Sequence, residues 1–487
     1  MKTLYWHDYE TTGISPARDR PLQFAGVRTD EDLNIVGDPL SLYCQPALDI
    51  LPHPAACMVT GITPQLALEQ GVPENIFASR LVAELARPGT CGVGYNSIRF
   101  DDEFSRYLLY RNFYDPYQRE WSQGNSRWDI IDMLRLTRAL RPEGIVWPDK
   151  EDGAPSFKLE DLTRVNSISH ESAHDALSDV MATIAMARLV RDKQPRLYDY
   201  LYSNRSKHKV AAMLDPVAQQ PVLHVSGKLP RANGYTALMV PLAQDPTNKN
   251  AIICFNLAGD VDALLTLDAD EIRERVFARS DQLPDKSERL PLKVIHLNRC
   301  PVIATPKLLD ASAADRLNIN VKHCMDNWNI LQRYNATPEF RVEFKAKLQS
   351  IFVRPDYAND EDAEQALYQG FLPNSDKPLL AGVRSSAGEE LDASHFPFSD
   401  SRYRELLFYY RARNFPASLD SVDADTWRRM CRERLTGTES AYLSLADYNK
   451  EVDQITANTT DPSVLALMRN LSAWGKRVCD DLDIVSS

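Results

Sequence analysis

The chain has 487 residues, of which 44% are hydrophobic and 25% charged, and that length exceeds one ordinary core: two to four domains are expected, and three fit best. His7, Asp8 and Glu10 interrupt the amino terminus at once, and no run approaches the roughly 18 apolar residues of a membrane span, so neither a signal peptide nor a membrane protein is expected. The formal net charge of −12 weighs against a nucleic-acid partner unless cationic surface is concentrated locally.

Apolar and β-branched patterning predicts strands over residues 4–10, 23–29 and 33–44. A helix over 77–86, a strand over 90–95 and a helix over 100–110 follow, and a further helix is predicted over 128–140 from the spacing of Ile130, Ile131, Leu134 and Leu140. Ser172 is a candidate N-cap for a helix running to about Arg191, with Ala176, Val180, Ile184 and Ala187 along one stripe. Together these elements predict an α/β domain of about 190 residues. Between Arg188 and Lys209 seven Lys/Arg stand against two Asp, a local balance of +5, with Tyr198, Tyr200 and Tyr202 interleaved. Such a stretch suits a single-strand track, although a solvated linker is the simpler reading.

Short β-rich runs at 221–226, 235–242, 251–257 and 292–297 predict a small, mainly β domain with a helix inserted near 268–278. From about residue 355 the pattern turns helical, over 361–367, 402–414, 424–435 and 464–482, and Asp360-Glu361-Asp362 reads as a solvated acidic face. The resulting division is 1–194, 195–350 and 351–487. Eight cysteines stand singly without C-x-x-C pairs, the pattern of reduced thiols in a cytoplasmic protein.

Three elements carry chemistry. Asp8-Tyr9-Glu10-Thr11-Thr12-Gly13 ends the first strand, where alternation puts both carboxylates on one face about 7 Å apart. Two such acids can ligate hard divalent cations. A bare D-x-E is more simply two exposed acids at a turn, but the following T-T-G turns against that reading. Gly94-Tyr95-Asn96 leads to Asp101 at a helix start, where N-capping is the bland explanation and Asp102 next door is an equal contender. His174 and Asp179 lie a little over one turn apart on the last helix of the domain, a spacing that by itself is ordinary helix surface.

D-x-E-T-T-G, then N-x-x-x-F-D, then H-x-x-x-x-D resembles the DnaQ-like (DEDDh) exonuclease superfamily, with its ribonuclease-H-like fold. His7-Asp8-Tyr9-Glu10, Asn125-Ser126-Arg127-Trp128-Asp129, Arg141-Pro142-Glu143-Gly144, His224-Val225-Ser226-Gly227, Asn298-Arg299-Cys300-Pro301 and Tyr410-Arg411-Ala412-Arg413-Asn414 resemble the bacterial exodeoxyribonuclease I family. That likeness runs over essentially the whole chain and is least distinct after residue 415. It implies a mixed-sheet exonuclease domain, an SH3-like β domain and a C-terminal helical domain, and it selects Asp101 over Asp102. The activity implied is 3′→5′ removal of 5′-mononucleotides from single-stranded DNA, in DNA repair and recombination.

Two Mg²⁺ ions, replaceable by Mn²⁺, would be held by Asp8, Glu10 and Asp179, with Asp101 contributing directly or through water and His174 as general base. DNA contacts are expected from Glu10, Arg106, Tyr117, Trp121, Arg135, Lys158, Lys207, Asn298 and Arg299. Lys158 stands where the family is expected to have Arg, which puts a bidentate phosphate contact in question. Taken apart from the resemblance, Trp121 reads equally as a core aromatic and Arg135 as an exposed helix charge. Family members are also expected to dock the acidic C-terminal tail of single-stranded-DNA-binding protein, here at Arg141, Tyr200 and Arg316, with the enzyme a monomer. The alternatives are a DEDDh nuclease acting on short RNA or in proofreading, and a catalytically idle nucleic-acid-binding scaffold. The residues beyond the catalytic domain weigh against the first, and the complete set of five catalytic residues against the second.

Overall fold

The structure, a computed structural model, describes residues 2–170, 175–278, 283, 289–353, 362–437 and 441–484. Contacts divide the chain into two units: Met1–Ser126, His170–Ile184 and Ala358–Ser487 form the first, Arg127–Ser169 and Ala185–Tyr357 the second.

The first unit is built on β1 (Thr3–Thr11), β2 (Pro21–Thr29), β3 (Leu40–Tyr43) and β4 (Thr90–Gly94). β1 lies at the centre, antiparallel to β2 and parallel to β4, and β2 pairs antiparallel with β3, so the sheet is mixed. β5 (Ser126–Asp129) follows where the chain leaves this unit. Tyr5, Tyr9 and Phe24 of the sheet pack with Phe77 and Leu81 of helix Glu74–Leu85 and with Leu108 of helix Asp101–Arg111. A larger core joins Leu51, Tyr107, Tyr110 and Phe113 to Phe398, Tyr403, Tyr410, Trp427, Tyr448 and Trp474 from the C-terminal third. The helices Ser401–Asn414, Ser421–Thr436 and Pro462–Asp481 supply most of that face.

A buried ionic cluster sits between those segments. Arg413 holds Asp49 at 2.6 Å and Glu364 at 2.7 Å, and Arg20 reaches Glu364 at 2.9 Å. Arg434 bonds Asp49 at 2.6 Å and Asp362 at 3.1 Å, while Arg111 pairs with Glu74 at 2.8 Å. Burial opposes these charges, but the surrounding guanidinium groups win and hold Asp49 down to about 2.

In the second unit β6 (Val222–Val225), β7 (Thr236–Gln244), β8 (Ala251–Asn256), β9 (Leu292–His296) and β10 (Val302–Ala304) form an antiparallel sheet in the order β10-β6-β7-β8-β9. The inserted helix is Ala269–Phe277, started by a reciprocal pair in which Asp268 accepts from the Glu271 amide and Glu271 from that of Asp268.

Several expectations need correction. The strand expected over 33–44 is confined to β3, because the Asp30 carboxylate accepts from the Asp32 and Asn34 amides and folds that stretch into a turn. The helix expected from Trp128 begins at Ile131; Trp128 belongs to β5, and Asp129 accepts from the Ile131 amide at 3.0 Å. The basic stretch is not a linker, but the end of helix Ala176–Lys193 followed by helices Pro195–Asn204 and Lys207–Met213. Tyr198 is buried there and packs on Trp128 and Tyr202.

The β domain is also more helical than expected, since Val321–Tyr334 and Pro338–Ile351 precede residue 355. Over the expected helix 361–367 the described residues make turns and a 3₁₀ segment, Ala366–Tyr368. Of the acidic triplet, Asp360 and Glu361 lie outside the described residues, and Asp362 is committed to Arg434 and to the Tyr442 hydroxyl at 2.7 Å. Ser172 also lies outside them; the start of its expected helix is capped by Asp175, which accepts from the Ser178 amide at 3.2 Å.

Candidate active site

The end of β1 presents alternate side chains to opposite faces. On one face His7 is buried 4.0 Å from Asp102, and the Tyr9 hydroxyl meets the Ser105 hydroxyl at 2.9 Å. On the other, Asp8 and Glu10 meet Asp179 from the first turn of helix Ala176–Lys193, and the three carboxylates offer oxygens all within 4.8 Å of one another. The loop after β1 turns tightly because Asp19 accepts from the Ser15 amide at 2.7 Å. Gly13 is required in it, since a Cβ there would stand 2.5 Å from Asp19 and from His53.

The neighbouring acids part company. Asp101, buried, accepts from the Tyr9 amide at 3.2 Å, between Asp8 and Glu10 of β1. Asp102 turns away and pairs with Arg119 at 2.7 Å. Asp101 thus contacts the strand and does not join the three-carboxylate group. His174 lies outside the described residues.

Electrostatics explain what this cluster is suited to hold. Burial first, then the Asp179 charge, push Asp8 well above the ordinary carboxylate range. Burial, followed by Asp8 and Asp179, pushes Glu10 from 4.5 up to about 9. Three carboxylates so close cannot all ionise cheaply unless a cation joins them, and an all-oxygen donor set is the kind that hard divalent ions prefer. The residues thus fit Mg²⁺ or Mn²⁺ chemistry.

Two residues around the cluster escaped the sequence reading. The His170 imidazole stands 2.5 Å from Asp179 Oδ1, with only 4% of its side chain exposed. Gln23, buried on β2 directly opposite Glu10, donates to Asp175 at 3.2 Å. His170 was visible only as a second histidine shortly before His174, with no spacing rule to single it out; Gln23 carried no signal.

Three family models match the chain: Exonuclease over residues 5–187, Exonuclease I SH3-like domain over 205–354, and Exonuclease I C-terminal domain over 361–478. Exodeoxyribonuclease I of Escherichia coli K12 is 46% identical over 90% of this chain and 90% of its own. The chain belongs to the exodeoxyribonuclease I family. Its Haemophilus influenzae member is 45% identical, with 97% of this chain and 98% of the relative covered. The crystal structure of E. coli Exonuclease I in complex with a dA16 oligonucleotide matches with a TM-score of 0.93 at 43% identity, covering 98% of this chain and 100% of that one. Like its exodeoxyribonuclease I relatives, the chain is an exonuclease with a mixed-sheet catalytic domain, an SH3-like domain and a C-terminal domain.

The remaining residues singled out by resemblance to that family divide between the units. In the first, Arg106 is buried and taken up by Glu120 at 2.7 Å and Glu103 at 2.7 Å, with its guanidinium 5.4 Å from the Tyr117 ring centre. Trp121 is no core aromatic: 68% of it is exposed. Tyr117 pairs with exposed Phe371 at 6.2 Å, an aromatic neighbour the sequence reading did not single out.

In the second unit Arg135 is half-buried, paired with Asp132 at 2.6 Å and set over the rings of Phe157 and Tyr235. Lys158, Lys207, Asn298 and Arg299 are exposed. Arg141 and Arg316 meet one helix end: Arg141 donates to the Leu140 carbonyl, and Arg316 to that of Ala139 at 2.7 Å. Tyr200 is half-buried, its hydroxyl 3.3 Å from the Ile303 carbonyl.

Proposed function

We propose that this protein removes 5′-mononucleotides from the 3′ end of single-stranded DNA by two-metal-ion hydrolysis, serving DNA repair and recombination. The observation that carries the reading is the convergence of Asp8, Glu10 and Asp179 in a chain whose relative was crystallised with a dA16 strand. When bound, a pair of divalent ions neutralises charge on the attacking and leaving oxygens of the phosphodiester. Asp8, Glu10 and Asp179 hold the ions, Mg²⁺ or in its place Mn²⁺, and Asp101 steadies β1 between two of these ligands. His174 takes the proton from the attacking water, a role open to an imidazole at neutral pH.

Exposed Trp121, with Tyr117, gives bases a stacking surface that does not depend on their identity. Arg106 in the first unit, and Arg135, Lys158, Lys207, Asn298 and Arg299 in the second, are each a DNA contact in this reading, and Lys158 serves as a point charge rather than a bidentate fork. The domain bounds 1–194, 195–350 and 351–487 follow from the same reading.

Arg141, Tyr200 and Arg316 form the seat for the acidic tail of single-stranded-DNA-binding protein. The enzyme acts as a cytoplasmic monomer; all eight cysteines are free thiols, and no helix among the described residues is long and apolar enough to cross a membrane. End-labelled single-stranded DNA, duplex DNA and RNA, each with and without Mg²⁺, test the activity. Single-stranded DNA should be shortened from its 3′ end only with metal, and Asp179→Ala should remove nearly all turnover while leaving metal-free DNA binding intact. Preference for RNA, or near-normal hydrolysis by Asp179→Ala, would overturn the assignment.

A further inference from the structure

Asp179 faces a problem of placement. It sits in the first turn of its helix, and its carboxylate is drawn up against those of Asp8 and Glu10, which repel it. Without a restraint, rotation about its side-chain bonds would carry it away from the cluster and leave any incoming cation with two ligands. His170 supplies a restraint. Its ring nitrogen Nε2 lies 2.5 Å from Asp179 Oδ1, and a side chain only 4% exposed shields that contact from competing water.

We propose that His170 is a positioning residue for the metal centre: by donating its Nε2–H to Asp179 Oδ1 it holds the carboxylate in place beside Asp8 and Glu10. The inference rests on reading these three acids as the metal ligands, but it concerns how the site is prepared before metal or DNA arrives. A hydrogen bond to one oxygen of a ligating carboxylate sets that group's orientation and removes the ordering cost at the moment of binding. The donor function is needed with either charge state of the ring, because a neutral imidazole with its proton on Nε2 makes the same bond.

The test compares His170→Phe, which keeps a ring of similar shape without the donor, with His170→Gln, whose amide can donate from a similar reach. Mn²⁺ affinity is read in the absence of DNA, from the electron paramagnetic resonance of the free ion. Metal-free affinity for an oligothymidine strand and thermal unfolding in chelator are read alongside. His170→Phe should weaken Mn²⁺ binding by about 10- to 100-fold, the range usual for outer partners of metal ligands. His170→Gln should recover most of that loss, with strand affinity in chelator unchanged in both. Equal or tighter Mn²⁺ binding by His170→Phe would mean that His170 is idle or competes with the metal for Asp179, and would end the proposal. Equal losses in both variants, accompanied by a lower unfolding temperature, would assign His170 to packing instead. Wild-type protein that binds no Mn²⁺ yet still shortens DNA would overturn the metal-centre reading itself, and this proposal with it.

Discussion

At the scale of single residues, Glu10 shows most directly what the site costs when it is empty of cations. Its carboxyl titrates at about 9 in the folded chain against an ordinary 4.5. Between those values the native state holds a proton that the unfolded chain has released. Stability from this group is therefore full below about pH 4.5 and is lost as pH rises through the folded value. In chelator, wild-type protein should lose stability relative to Glu10→Gln from about pH 5 to pH 9, by a few kcal/mol at most. Saturating Mg²⁺ should remove the slope by taking the place of the proton. Denaturant midpoints for the two proteins across that window measure it, and parallel pH profiles in chelator would refute it. Asp101 and Asp102 teach the complementary lesson. Adjacent acids, indistinguishable by type, are separated only by what faces them: the Tyr9 amide for one and Arg119 for the other.

Among elements, those whose character is written in their own residues were legible. β1, β2, β4 and the helices around residues 74–85 and 401–414 follow from local apolar patterning, and the D-x-E strand with its distant Asp179 followed from motif order. What was not legible depends on partners remote in the chain. Tyr198 looked like a base-stacking aromatic but is spent on packing with Trp128. Asp362 looked solvated but belongs to a cluster in which Arg20 and Glu364, 344 positions apart, are in contact. No pattern of 3.6 or 2 residues reports such pairings.

The helix Ile131–Leu140 illustrates an element whose end has work to do. Its last carbonyls draw in Arg141 and Arg316, cations that suit the negative end of a helix dipole. In the proposed reading the same charges receive an acidic peptide. Arg141 pairs with Asp310 at 3.3 Å on partly exposed side chains, so that pair is easily exchanged. A labelled peptide of the single-stranded-DNA-binding protein tail should bind wild type at low salt, bind Arg141→Ala at least several-fold more weakly, and release as salt rises. Equal affinities would remove Arg141 from the seat, and no binding by wild type would end the assignment.

At the scale of the whole molecule, the ionic cluster and the aromatic core bind the first 126 residues to the last third of the chain. Arg413→Ala takes one guanidinium from Asp49 and Glu364 together and leaves Asp49 to Arg434 and Glu364 to Arg20 and Arg434, so it should cost less than the about 3–5 kcal/mol of a fully stranded buried charge, but more than about 1 kcal/mol. Urea unfolding of the full chain measures this; a loss under about 1 kcal/mol would show that Arg434 and Arg20 hold both acids without Arg413. Because Asp49 is held at about 2, the cluster's contribution should persist above the ordinary 3.8 and fade only as pH falls toward that lower value.

The same assembly has a consequence for birth on the ribosome. Helix Asp101–Arg111, with Tyr107 and Tyr110, and the flanking loops with Leu51 and Phe113 emerge early, while Tyr403, Tyr410 and Trp427, which cover them, are translated some 300 residues later. At about 5–20 residues per second that leaves an oily surface uncovered for tens of seconds. Each nascent chain passes through a period in which that surface lies open, and a polypeptide released before its last third should precipitate rather than digest DNA.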